Sequence, residues 1–98
     1  MKRPSRALRE AAEMLAVQAL GFIAEEPELL SRFLDTSGIS VAGIRSAATE
    51  PGFLAGVLEY MLADENLLRA FADRAGIDPA EVARASAALG GVWERDVP

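Results

Sequence analysis

Ninety-eight residues, half of them apolar, are enough for one domain with a buried core, and the lack of cysteine and histidine excludes disulfides, thiolate chemistry, the commonest general base and the usual zinc ligands. The formal charge of −5 is unevenly spread: Lys2, Arg3, Arg6 and Arg9 precede every acid, and from Glu10 onward fifteen acids face six arginines. An acidic body repels phosphate backbones, and abundant alanine with few aromatic residues favours packed helices over a β-sandwich.

The first helix is expected from Ser5, a cap after Pro4, to about Ala24. Leu8, Ala12, Leu15, Ala19, Phe22 and Ile23 keep helical spacing. Beyond Met14 its apolar residues run most of the way round, which predicts a helix enclosed on most sides at the centre of a bundle. Residues 14–24 have the length of a signal core, but Glu10 and Glu13 stand where such a segment needs positive charge and no cleavage pattern follows. No apolar run approaches the ~20 residues of a membrane span, so a cytoplasmic protein is expected.

Glu25, Glu26 and Pro27 open a second helix with Leu29, Leu30, Phe33 and Leu34 inward, stopped by Gly38. Ser40 caps a short third helix to about Ala48, weakened at Gly43 by roughly 1 kcal/mol relative to alanine. Thr49, Glu50 and Pro51 start a fourth, apolar over residues 53–63 except for Glu59. Asp64 caps a fifth, with Leu67, Leu68 and Phe71 inward and Gly76 as its stop. Asp78, Pro79 and Glu81 supply a cap, a first-turn proline and a returning carboxylate for the sixth, which ends at Gly90 and Gly91 before a tail over residues 90–98.

The chain repeats itself. Shifted by thirty-eight positions, LLSRFLDTSGISVAGIRSAA (29–48) lies over LLRAFADRAGIDPAEVARAS (67–86), matching Leu29 with Leu67, Phe33 with Phe71, Asp35 with Asp73, Gly38 with Gly76 and Ile39 with Ile77. The expected architecture is all-α: one domain, a closed six-helix bundle of two pseudo-symmetric three-helix units, about 14–48 and 52–88, whose apolar first helices shield one another.

Within each unit the hairpin resembles the DNA-binding helix-turn-helix, on Phe71, Ala72, Ala75, Gly76, Ile77, Val82 and Ala85, with Leu34 and Ser37 as departures in the earlier copy. The outer face of each second helix offers one arginine, Arg84 or Arg45, among small and acidic residues, thin provision for reading bases. Catalysis has less behind it: Glu59 has no second carboxylate one turn away in its apolar stretch, and no serine has a histidine to activate it. No catalytic residue, cofactor, metal or small-molecule substrate is expected. The remaining class is a non-enzymatic module that contacts another protein or a second copy, with Phe53, Leu54 and Tyr60 as anchors and Trp93 either folded back onto the bundle or a further anchor; a nucleic-acid-binding regulator using Arg45 and Arg84 is the alternative.

The runs ALGFIA (19–24), PELLSRFL (27–34), PGFLAGVLEYMLADENLL (51–68) and AFADRAGIDPAEV (70–82) together resemble a bacterial family of small helical proteins known as domain of unknown function 3572, over roughly residues 14–89. Val41 stands where that family would place a proline. The resemblance implies an all-helical cytoplasmic protein and brings no activity, cofactor or site residues.

Overall fold

Prolines, caps and glycines cut the chain into helices close to where its sequence marks them. The computed structural model describes residues 6–89, which form α1 (Arg6–Glu25), α2 (Pro27–Ser37), α3 (Val41–Ala47), α4 (Pro51–Leu62), α5 (Glu65–Ala75) and α6 (Pro79–Ala88), with no strand among the described residues. Three helices begin on side-chain caps: Ser40 Oγ accepts from the Gly43 N–H at 3.1 Å, Asp64 Oδ1 from Leu67 at 3.2 Å and Asp78 Oδ1 from Ala80 at 2.9 Å. At α2 and α4 the N-cap residues Glu26 and Glu50 make no such bond, and a proline holds the first turn instead. Ser40 begins α3 as the sequence predicts, with Val41 in the first helical position.

The returning carboxylate at the start of α6 is a correction. Asp78 does cap, but Glu81 is exposed and makes no side-chain hydrogen bond among the described residues; its backbone N–H goes to the Asp78 carbonyl at 2.8 Å. Neither bond of the reciprocal box forms: the Asp78 carboxylate serves the amide of Ala80 and not that of Glu81, and Glu81 does not return to Asp78.

Two glycines take the left-handed backbone, Gly38 at φ 75° and Gly76 at φ 71°, and they close their helices differently. After α5 the Ile77 N–H reaches the Ala72 carbonyl and that of Gly76 the Asp73 carbonyl, a Schellman pair. After α2 the Gly38 N–H bonds to the Leu34 carbonyl, while the Ile39 N–H is taken by Ser37 Oγ at 3.3 Å. Ser37 stands where the later copy has Ala75, so one hydroxyl diverts the amide that otherwise completes the motif.

Packing follows the apolar stripes. α1 lies against α2, α4 and α6, α4 also against α5 and α6, and α5 against α6. The core joins Ala12, Ala16, Ala19, Leu20 and Ile23 of α1 to Leu54, Val57, Leu58 and Met61 of α4 and to Val82, Ala85 and Ala88 of α6. Ala16 and Ala19 are wholly buried, and their small side chains let neighbouring backbones come close to α1. No charged or polar side chain is buried among the described residues. α3 is peripheral: it buries no residue fully, and Ile44 rests half-buried on the core.

Enclosure of α1 on most sides is also corrected. Met14 is 66% exposed and Val17 48%, because the core stripe at 12, 16, 19, 20 and 23 turns them to the opposite side of the helix. No helix among the described residues is long and apolar enough to cross a membrane.

Candidate contact surface

Two grooves along α1 meet at Met14. On one side the row Ala11, Leu15 and Gln18 faces Glu81, Arg84 and Ala88 of α6 across a groove of about 470 Å³. On the other, Glu10, Glu13 and Val17, with Gln18 shared between the two, look toward Ala48, Thr49 and Leu54, where α3 gives way to α4, across a space of about 560 Å³. Helical geometry explains the division, since residues three and four apart share a face. Met14 contributes to both grooves and stands between them as an exposed, unbranched apolar side chain. Such a residue adapts to partners of different shape.

The anchors expected from sequence are dispersed. Phe53 and Tyr60 are half-buried and both stack edge-on against Phe33, at centroid distances of 5.9 and 5.1 Å. Their rings are largely engaged in holding α2 to α4. Leu54, at 3% exposure, belongs to the core and is no surface anchor, a correction with a simple cause: it lies on the same stripe as Leu58 and Met61. Arg84 borders the α6 groove beside Glu81, while Arg45 occupies the last turn of α3, and both are exposed without an ion pair among the described residues. Trp93 lies outside the described residues. Sequence reading missed Met14 and Val17 because it counted apolar residues around the helix. The signal was available: three alanines at 12, 16 and 19 define one face, and Met14 and Val17 fall off it.

Polar chemistry is sparse. Glu59 is exposed on α4, without the burial that would mark a tuned carboxylate. Among the described residues no three acids gather in a way that could hold a metal ion. The long-range ion pair joins Arg74 to Glu25 at 2.8 Å, both side chains more than half exposed, with the guanidinium 6.0 Å above the Phe22 ring. It fastens the end of α1 to α5.

Against known proteins, a family model described as a protein of unknown function, DUF3572, matches residues 9–92. No curated protein and no solved structure matches.

Proposed function

The chain belongs to this family of unknown function, and from that premise we propose that it is a non-enzymatic module working by protein–protein contact through the face of α1 that carries Met14 and Val17. The observation behind this reading is the exposure of two large apolar side chains, one turn apart in the middle of a long helix, beside an open groove. A self-complementary helix face of this kind suits a second copy related by a two-fold axis, with Met14 near the axis. The acids Glu10 and Glu13 on the rim set the orientation of what docks there.

The test places a photoreactive benzoylphenylalanine at Met14 and, as control, at the exposed Asp35. Discrete adducts from Met14 alone are expected, and light scattering across micromolar concentrations, repeated with Met14→Lys, tells a second copy from another protein. Equal labelling from both positions overturns the contact reading.

A second reading, DNA binding by the hairpins, is favoured by the left-handed turn glycines Gly38 and Gly76 and by exposed Arg45 and Arg84. It ranks lower because each arginine stands alone, and Arg84 has Glu81 beside it in the groove. Tight, sequence-selective mobility shifts abolished by Arg45→Ala with Arg84→Ala would reverse the order.

The reading extends to architecture: a closed bundle of two copies of one unit. What supports it is a pair of ring contacts. A shift of thirty-eight residues carries Phe22 onto Tyr60 and Phe33 onto Phe71. The Phe22–Phe71 contact at 5.6 Å and the Phe33–Tyr60 contact at 5.1 Å are therefore the same contact made twice, once from each half. The core pairs Ala19 with Val57, Leu20 with Leu58 and Ile23 with Met61 under the same shift, and all six are buried. The third helices differ: Val82 is wholly buried, whereas its counterpart Ile44 is half-buried. A cytoplasmic location belongs with this reading.

A further inference from the structure

We infer that the cleft between α2 and α4 binds a small neutral aromatic molecule carrying one hydrogen-bonding group, laid against Tyr60. Buried Phe33 holds the rings of Phe53 and Tyr60 edge-on at 5.9 and 5.1 Å, so the aromatic wall stands before any ligand arrives. Gly52 and Gly56, one turn apart on α4, line the same cleft, and an added Cβ on either would meet nothing within 4 Å. The cleft measures about 310 Å³, room for a ring and a substituent, since a dry cavity of about 150 Å³ accepts benzene. No charged residue lines it. Of its hydroxyls, that of Ser37 is engaged by the Leu34 carbonyl and the Ile39 amide, whereas those of Thr36 and Tyr60 make no hydrogen bond among the described residues and are open to a ligand.

The class of ligand is read from a second cleft in the other half, and to that extent the inference rests on the duplication proposed above. A shift of thirty-eight residues carries Gln18, Phe22, Phe71, Arg74 and Ala75, which line a cleft between α1 and α5, onto Gly56, Tyr60, Phe33, Thr36 and Ser37. In the α1–α5 cleft the chain supplies its own planar group: the Arg74 guanidinium lies 6.0 Å from the centre of the Phe22 ring and is held by Glu25 at 2.8 Å. In the α2–α4 cleft Thr36 replaces that arginine, Ala63 that glutamate and Gly56 the glutamine. Among the described residues no cation lies over Tyr60. With the carboxylate gone as well, a guanidinium would stand there uncompensated, and a neutral ring is the planar group that fits. This cleft shares no lining residue with the Met14 and Val17 face assigned above to partners.

The test titrates indole into the intact, isotope-labelled chain and follows backbone amide resonances, with benzamidinium and benzoate as charged rings for comparison. Saturable shifts are expected at Ile39, Gly52 and Gly56 but not at Gly21 and Ala75 of the α1–α5 cleft, and indole should bind several-fold tighter than either ion. Gly56→Leu puts a good helix former into the open space, and Thr36→Arg restores the guanidinium. Each should weaken indole binding by about tenfold or more without loss of helix content. Met14→Lys should leave it unchanged, so the partner reading is tested apart from this one. Weakening by Gly56→Leu but not by Thr36→Arg would support the site and count against the duplication. No saturable shift, equal shifts in the two clefts, tighter binding of either ion, or undiminished binding by Gly56→Leu would overturn the inference.

Discussion

At Gly21 and Gly56 an added methyl meets nothing within 4 Å, although both lie inside helices, at a cost of about 0.5–1 kcal/mol each relative to alanine. Gly21→Ala and Gly56→Ala should each recover about that amount in urea denaturation. Gly43 has the same propensity deficit, but a Cβ there would come within 3.3 Å of Ile39 Cγ2 and 3.4 Å of the Ser40 Oγ that caps α3. Gly43→Ala should therefore gain less than Gly56→Ala, and the simple propensity argument overstates its benefit. Gly38 and Gly76 form the opposite case, since space is free but the backbone is left-handed. Alanine at either should cost about 1–2 kcal/mol.

The six elements differ in how firmly they are held, and substitutions at equivalent caps should separate them. Asp64 caps α5, whose Leu67 and Phe71 are buried in the shared core, so Asp64→Ala should lower global stability by about 1 kcal/mol. Ser40 caps α3, which buries no residue fully. Ser40→Ala should raise amide exchange within α3 while shifting the global urea midpoint much less, because a peripheral helix opens without the rest. The Arg74–Glu25 pair is half in water, so Arg74→Gln should cost under about 1 kcal/mol and less at high salt.

For the molecule as a whole, the decisive feature is that α1 and α4 pack together and bury their apolar stripes in one shared core. Ile23, Val57, Leu58 and Met61 are fully buried in one continuous cluster drawn from both halves. Separated pieces 1–50 and 51–98 should then show little helix by circular dichroism, whereas the intact chain should unfold in a single transition. Leu58→Ala, which empties a site at the centre of that cluster, should cost about 2–5 kcal/mol. A stably folded half would show that α1 and α4 do not need one another for cover.

Local chemistry settled the elements. Prolines 27, 51 and 79, the caps Ser40, Asp64 and Asp78 and the glycines 38 and 76 act within a few residues of themselves, so their effect is written in the order of the chain. The inward rows of α2 and α5 were legible for the same reason, as was the family resemblance over the chain's apolar runs. Exposure was not. Whether an apolar residue of α1 faces core or water depends on which neighbours arrive and from which side, and only the packing of α4 and α6 against Ala12, Ala16 and Ala19 left Met14 and Val17 outside. Tertiary packing likewise assigned Leu54 to the core, occupied Phe53 and Tyr60 with Phe33, and opened the groove beside α6, since each depends on distances between segments far apart in the chain.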